Sequence, residues 1–222
     1  MINSSIAPQS EAFDGYYQTA RLELLDLLGE HGPLRALEIG CGAGANLVEL
    51  KRRWPDCTMT GLELRPDAAQ IAQASGAIDL VLQSNVLDER LSLDEGGFDL
   101  VILSHVLEHF AQPELVLERA QRWLAPGGRL LIALPNVRHI SVLLPLALKG
   151  EFRYQASGIL DQTHLRFFTR RSAERFLTAQ GLRLLRTAPE FGGSKSRWLQ
   201  RLSLGAASDL AAYAYNFLAV RA

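Results

Sequence analysis

The chain has 222 residues, of which 48% are hydrophobic and 21% charged, a balance that suits one globular domain with a three-layer core. Its formal net charge of -1 leaves no excess of positive charge for binding nucleic acid or an anionic membrane. The two cysteines, Cys41 and Cys57, are too few for a disulfide framework and indicate a reducing compartment. No signal peptide is recognisable and no apolar run is long enough to span a bilayer, so we expect a cytoplasmic protein.

The first predicted helix begins near Tyr16 and Tyr17. Apolar residues recur at helical spacing over 20–28, and glycine and proline end the helix within 29–33. The two tyrosines pack against the domain in one interpretation. In the other, they cover the cationic end of a ligand.

A glycine-rich turn follows the first predicted strand. The apolar run 36–39 is followed by Gly40, Gly42 and Gly44, and a helical pattern resumes at Ala45. This order indicates a buried strand, a tight turn and a helix start. Glycine adopts backbone angles closed to other residues, and it lets the main chain approach a ligand closely. Together with the free N–H groups of the helix start, the turn is typical of a nucleotide-type pocket.

The glycine spacing alone does not identify the ligand. Gly40, Gly42 and Ala45 also satisfy the G-x-G-x-x-G/A pattern of dinucleotide-binding folds, so a dehydrogenase is the rival interpretation. Glu38, at the end of the preceding strand, would repel a pyrophosphate and attract a cation. The sequence therefore favours a positively charged ligand over NAD.

Further strand and helix units follow. We predict strands at 58–62, 79–83, 98–103 and 129–134, helices starting at Pro66 and Pro113, and a turn at 125–128. The near-continuous apolar run 98–103 is typical of a central parallel strand. Glu63 follows the second strand, where a carboxylate can accept both hydroxyls of a ribose. We expect this strand tip to be partly exposed.

Three motifs occur in order along the chain: Glu-x-Gly-x-Gly-x-Gly at 38–44, Leu-Glu-His at 107–109 and Pro-Gly-Gly at 126–128. Together they resemble the class I S-adenosylmethionine-dependent methyltransferases over roughly the first two-thirds of the chain. The alternating strands and helices predict an α/β three-layer sandwich with a mostly parallel sheet. The resemblance implies a Rossmann-like fold with seven strands, of which the last is antiparallel. The remaining strands are then 182–187 and 214–221, after a helix over 172–180 that Thr169 caps.

The resemblance implies S-adenosyl-L-methionine as cofactor and S-adenosyl-L-homocysteine as product. Glu63 is then the ribose ligand, and Asn85 stands where family members often have an Asp that holds the adenine amino group. The Asn85 amide oxygen can still accept that hydrogen bond. The full set of candidate cofactor-binding residues is Tyr16, Glu38, Gly40, Cys41, Gly42, Gly44, Asn46, Glu63, Leu64, Asn85, Val86, Ser104 and His105.

We interpret 1–222 as a single methyltransferase domain with a lid or acceptor segment at about 137–168, which is too long for an ordinary loop. The string 161–169 looks like that of bacterial methyltransferases found with polysaccharide and O-antigen genes. Ubiquinone-type O-methyltransferases are the other group that the chain resembles. The expected acceptor is therefore a small hydroxylated molecule, such as a sugar of a surface glycan or a quinone precursor. Nucleic acid is not an expected partner, and a homodimer is left open.

Methyl transfer to an alcohol or phenol requires a proton acceptor, and histidine is the natural one near neutral pH. We predict His109 and His164 as the catalytic residues, because both fall at the ligand end of the predicted sheet. N-methylation of a small amine is an alternative, as is a non-catalytic protein that binds the same cofactor.

A metal site is a further alternative. If the chain is helical after the fourth strand, His105, Glu108 and His109 share one face and could bind a divalent metal with His164 as a fourth ligand. The Leu-Glu-His motif also occurs in metal-free relatives, where its Glu orients or caps and its His packs. We therefore expect no metal.

Overall fold

The computed structural model describes residues 19–191 and 208–222. The strands are β1 Arg35–Ile39, β2 Thr58–Glu63, β3 Leu80–Gln83, β4 Phe98–Ser104, β5 Leu124–Pro135, β6 Leu182–Glu190 and β7 Ala214–Arg221. They form one seven-stranded sheet in the order β3-β2-β1-β4-β5-β7-β6. β7 runs antiparallel to both of its neighbours, whereas β1 to β5 pair in parallel. The fold predicted from the sequence is confirmed.

Helices cover both faces of the sheet. They are α1 Leu22–Leu25, α2 Ala45–Arg53, α3 Pro66–Ala74, α4 Pro113–Trp123, α5 Ile140–Lys149, α6 Arg170–Ala179 and α7 Ser208–Ala211. On one face, Leu37 of β1 lies in a core with Val116 of α4 and Leu177 of α6. On the other face, Ala36 lies in a second core with Leu47 of α2. Two cores on opposite faces make the three layers. Within the described ranges, no helix is both long and apolar enough to cross a bilayer.

The predicted first helix is only partly within the described residues. There it consists of α1 and a 3-10 turn, Asp26–Leu28, and it ends at Gly29, which has φ +68°. Tyr16 and Tyr17 lie outside the described residues, so the prediction that Tyr16 contacts the cofactor stays a prediction.

β5 begins at Leu124, which corrects the predicted turn at 125–128 and the predicted strand start at 129. Phe98 pairs with Leu124, whereas Leu100 pairs with Arg129, so the residues between form a β-bulge. Gly127 has φ +74°, a conformation that glycine adopts without strain. The Pro-Gly-Gly motif therefore bends the strand and does not precede it.

The predicted lid segment folds back to the point where it leaves the sheet. Asn136, directly after β5, forms an isolated parallel bridge with Phe168. α5 lies between these two residues, and Val142, Ile159 and Leu160 form a small core of the segment's own. The segment is thus a packed unit at the carboxyl end of β5.

Candidate functional site

The glycine turn lies over the carboxyl end of β1 and is fixed to β2. The backbone N–H groups of Gly40 and Cys41 both donate to the carbonyl oxygen of Leu62, at 2.7 and 3.1 Å. Gly40, Gly42 and Gly44 have φ values of +69°, +55° and +83°, so each occupies the left-handed region that disfavours other residues. The main-chain path of the turn is therefore fixed, and it leads directly into α2.

Cys41 donates a weak hydrogen bond, 3.8 Å long, from its thiol to the carbonyl oxygen of Gly42 in the turn. Its side chain is buried in the core beneath the turn, where a Cβ on Gly61 would come within 2.7 Å of its sulfur. Burial, with the neighbouring Glu38 and Glu63, raises the pKa of the Cys41 thiol. The thiol is therefore a packing group.

Glu38 is a buried carboxylate at the end of β1. Its Oε1 accepts a 2.7 Å hydrogen bond from Asn46 Nδ2, while Asn46 Oδ1 accepts one from the backbone N–H of Arg21. Its Oε2 has no hydrogen-bond partner among the described residues. Burial raises the pKa of Glu38 from 4.5 to about 8, opposed by the Asn46 hydrogen bond and increased slightly by Glu63. A cationic group at Oε2 would satisfy this oxygen and stabilise the ionised carboxylate.

Glu63 is also buried, which corrects the expected partly exposed strand tip. Only 8% of the residue is exposed. Its Oε2 accepts a 2.8 Å hydrogen bond from the backbone N–H of Gly42, and its Oε1 accepts a 2.9 Å bond from the backbone N–H of Arg65. Each carboxylate oxygen has a second lone pair, so the predicted ribose role stays open beside this structural one.

Three predicted cofactor-binding residues follow β2 and β3: Leu64, Asn85 and Val86. Leu64 is 62% exposed after β2, and Val86 is buried against the core after β3. The Asn85 amide oxygen already accepts a 2.9 Å hydrogen bond from the backbone N–H of Leu87. Asn85 therefore stabilises its own turn, and the second lone pair of its amide oxygen leaves the predicted adenine role open.

The chain after β4 is not the helix that the metal alternative required. His105 has φ +56°, and only Leu107–His109 forms a short 3-10 turn. Ser104, which ends β4, pairs with Ala133, and the N–H of His105 donates to the carbonyl oxygen of the same residue. His105 thus departs from a helical path at the end of the sheet.

Glu108, His109 and His164 come together where the lid segment meets the end of β4. One ligand atom from each lies within 4.8 Å of the others, a donor set that could hold a metal ion. The two imidazole rings meet edge to face with centroids 4.8 Å apart. The carbonyl oxygen of Glu108 accepts hydrogen bonds from the backbone N–H groups of Leu165 and Arg166, at 2.8 and 3.0 Å. His105 is not a member of this three-residue set, although its Nδ1 is 3.3 Å from Glu108 Oε1.

The hydrogen bonds of both histidines fix their tautomers. His164 Nδ1 lies 3.0 Å from the carbonyl oxygen of Ile159, which can only accept, so Nδ1 carries the proton. Thr163 Oγ1 donates to Asp161 Oδ1 at 2.6 Å and therefore accepts from His109 Nδ1 at 3.0 Å. Both rings, when neutral, keep the lone pair on Nε2. Burial lowers the pKa of His164 from its ordinary value, opposed by the negative charge of Glu108.

Asp161, Thr163 and Ile159 had no predicted role. The Asp-x-Thr spacing ahead of His164 is a signal for a local turn, and the backbone N–H of Thr163 does donate to Asp161. The contact with His109 crosses 54 residues of sequence and has no such signal.

A family profile described as "Methyltransferase domain" matches residues 12–187. The chain belongs to the class I S-adenosylmethionine-dependent methyltransferases. This family membership confirms the resemblance and the cofactor predicted from the sequence motifs. It also removes the dehydrogenase interpretation of the glycine turn.

Named relatives of this methyltransferase differ in their acceptors. It is 34% identical over 130 residues to the malonyl-[acyl-carrier protein] O-methyltransferase of Herminiimonas arsenicoxydans, covering 59% of this chain and 48% of that protein. It is 28% identical over 158 residues to the mitochondrial ubiquinone biosynthesis O-methyltransferase of Rattus norvegicus, covering 67% and 44%. The chain spans about half the length of the curated relatives it matches.

Among solved structures, the N-methyltransferase NodS of Bradyrhizobium japonicum shares the fold of this methyltransferase. The TM-score is 0.58 at 21% identity, with 90% of this chain and 84% of NodS covered. NodS was crystallised with S-adenosyl-L-homocysteine. At this identity the likeness concerns the fold alone.

Proposed function

We propose that this chain transfers the methyl group of S-adenosylmethionine to a hydroxyl oxygen of a small or glycan-type acceptor. The observation that supports oxygen as the target is the His109–His164 pair, whose Nε2 lone pairs lie at the end of β4 beside the lid segment. A hydroxyl becomes a competent nucleophile as it loses its proton, and an imidazole at this place can take that proton.

The residues at the ends of β1 and β2 suit the binding of the cofactor. Oε2 of Glu38 has no hydrogen-bond partner among the described residues, and it suits the cationic amino acid end of S-adenosylmethionine. Glycine at position 42 lets the main chain approach a ligand, and Glu63, which accepts a hydrogen bond from the Gly42 N–H, lies next to it for the ribose. When bound, the cofactor supplies an electrophilic methyl carbon on a sulfonium. The protein's part in the transfer is then largely positioning.

The acceptor side is assigned to the lid segment at about 137–168. This segment carries His164 and is joined to the end of β4 through the carbonyl oxygen of Glu108. The names of the Herminiimonas and rat relatives, both O-methyltransferases, support oxygen as the target. The resemblance of 161–169 to methyltransferases found with polysaccharide genes supports a sugar acceptor, and the rat relative supports a quinone precursor.

N-methylation of a small amine is the second candidate, since the same fold also carries N-methyltransferases such as NodS. An amine that is already neutral needs no base. Loss of His109 and His164 would therefore slow transfer to oxygen more than transfer to a neutral amine.

An acceptor screen with S-adenosylmethionine carrying a labelled methyl group tests the proposal. The panel consists of simple phenols and catechols, mono- and disaccharides, quinone precursors, and primary and secondary amines. We expect label in a hydroxyl-bearing acceptor and none in the amines. Label confined to amines would replace the proposal by the N-methyl alternative. Cofactor binding without transfer to any acceptor would favour the non-catalytic protein. A Gly42→Val variant, which should not bind the cofactor, gives the background.

A further inference from the structure

We infer that Glu108, His109 and His164 form a binding site for a divalent transition-metal ion of the zinc class. The site is built where the lid segment meets the end of β4, with one ligand atom of each residue within 4.8 Å of the others. Two imidazoles and a carboxylate are a donor set that binds zinc and neighbouring transition metals.

The state of Glu108 is the first observation that indicates a cation. The residue is completely buried, and neither carboxylate oxygen has a hydrogen-bond partner among the described residues. Burying a carboxylate without hydrogen bonds or a counter-charge is strongly unfavourable. The 3.3 Å contact with His105 Nδ1 lacks hydrogen-bond geometry, although a protonated His105 would supply charge. A metal ion would supply both the charge and the missing ligand bonds.

The hydrogen bonds of the histidines are the second observation. Histidines that bind a metal usually donate their other ring N–H to a carboxylate, a carbonyl or a similar acceptor, which orients the ring. His164 donates from Nδ1 to the carbonyl oxygen of Ile159, and His109 donates from Nδ1 to Thr163, which is itself bonded to Asp161. Both rings therefore have their Nε2 lone pairs available for a cation.

The ligand atoms of the site, two imidazole nitrogens and a carboxylate oxygen, favour one class of metal ion. Calcium and magnesium prefer sites made of oxygen atoms, whereas imidazole nitrogen suits zinc, cobalt, nickel and copper. In a tetrahedral zinc site with bonds of about 2.1 Å, ligand atoms lie about 3.4 Å apart, so a bound ion would draw these side chains together. His109 is half-buried and Thr163 is exposed, so an ion can reach the site from solvent.

A bound ion would change the rate of methyl transfer, and this part of the inference rests on the proposed function. A lone pair on Nε2 cannot bind a metal and accept a proton from the acceptor at the same time. The metal-loaded protein should therefore transfer methyl groups to a hydroxyl more slowly than the metal-free protein. Metal binding would then inhibit methyl transfer by occupying the same two histidines.

Binding is measured first, without reference to activity. The full chain, free of any polyhistidine tag and treated with chelator, is titrated with Zn²⁺ by calorimetry and with Co²⁺ by visible absorption. We expect one tight site with the ligand-field spectrum of low-coordinate cobalt. Glu108→Gln and His164→Ala should abolish it, and Asp161→Asn should weaken it about 10–100-fold. His31→Ala, which changes an exposed histidine elsewhere, is the matched control and should bind normally.

The outcomes separate the site from its effect on the rate. Absence of a tight site in the wild type, or a site that survives both Glu108→Gln and His164→Ala, would overturn the inference. Circular dichroism and cofactor binding are the checks that these variants fold, and we expect both to be normal. A tight site with slower transfer that chelator reverses would support both parts. A tight site with faster transfer would support the site and overturn the inhibitory role, together with the assignment of the histidines as proton acceptors.

Discussion

The backbone N–H of Gly42 donates a 2.8 Å hydrogen bond to Oε2 of Glu63. The acidic end of β2 is therefore a support for the glycine turn as well as a candidate ribose ligand. The same carboxylate accepts a second hydrogen bond from the backbone N–H of Arg65, so it fixes two consecutive loops. Changes at Glu63 should consequently affect both folding stability and cofactor binding.

Glu63→Gln tests this double role. Glutamine keeps the shape but loses the charge, and its amide nitrogen would face one of the two backbone donors. We expect the free energy of unfolding to fall by about 1.5–3 kcal/mol, the range for a hydrogen bond to a charged group. Cofactor affinity should fall as well. Urea unfolding and titration calorimetry measure the two effects, with Glu89→Gln, on an exposed loop, as control. Unchanged stability would show that the Gly42 contact is weak.

Gly42→Val should abolish cofactor binding, and Gly76→Val gives the matched control. Both glycines have positive φ, +55° and +67°, so valine strains the backbone at either position by at least about 1–2 kcal/mol. A Cβ at Gly76 meets nothing within 4 Å, and this residue lies away from the site, between α3 and β3. Thermal unfolding and calorimetric titration with S-adenosylmethionine should show lower stability in both variants and lost binding in the Gly42 variant only. Equal binding by the two variants would remove the glycine turn from the cofactor site.

Glu38 should make stability depend on pH. In the unfolded chain this carboxyl ionises near pH 4.5, whereas in the folded chain it keeps its proton up to about pH 8. The folded state therefore binds more protons between these values, and the free energy of unfolding contributed by Glu38 falls as the pH rises through this window. Glu38→Gln should flatten the dependence, as measured by urea unfolding across the window. An identical pH profile in the variant would show that the buried carboxylate is already ionised.

Cofactor binding should release a proton from Glu38. A cationic ligand favours the ionised carboxylate, so the pKa of Glu38 falls when S-adenosylmethionine binds. Calorimetric titrations near neutral pH, in two buffers of different ionisation enthalpy, measure the number of protons released. We expect a net release in the wild type and none in Glu38→Gln. Equal heats in both buffers for the wild type would place the cationic end of the cofactor elsewhere.

His164→Ala should slow methyl transfer and leave cofactor binding intact. The expected loss of rate is about 10²–10⁴-fold if His164 accepts the acceptor's proton. Single-turnover transfer from labelled cofactor measures the chemical step, and calorimetry measures the binding. His31→Ala is the control because His31 is exposed and distant in sequence from the cluster. A normal transfer rate in His164→Ala would leave His109 as the remaining predicted base.

The sequence predicts the parts of this molecule that depend on local backbone chemistry. Alternating apolar runs and helical patterns indicate the sheet, and Gly40, Gly42 and Gly44 mark the turn because their positive φ angles exclude most other residues. His109 and His164 could be placed at one end of the sheet from the predicted strand positions. His109 comes soon after β4, and His164 lies in the segment that follows β5. The contact between their rings confirms that expected proximity, while their catalytic role stays a prediction.

Features that depend on distant partners were not predictable. The bulge in β5 arises because Phe98 pairs with Leu124 while Leu100 pairs with Arg129, whereas Pro-Gly-Gly by itself indicates a turn. Nothing in the sequence marks His105 as a residue with positive φ, and this angle breaks the helical path that a four-ligand metal site required. The burial of Glu63 likewise follows from the position of the glycine turn above it.

The attachment of the lid segment to the sheet has a consequence for how acceptor range can change. The carbonyl oxygen of Glu108 accepts hydrogen bonds from the backbone N–H groups of Leu165 and Arg166, and Asn136 forms a backbone bridge with Phe168. Such bonds do not depend on which side chains the segment carries. The stretch 137–160 can therefore be exchanged for one of another sequence while Thr163, His164 and the residues at the ends of β1 and β2 stay unaltered. If this segment binds the acceptor, we expect a chimaera that keeps both attachments and His164 to use the same methyl donor and to choose a different acceptor.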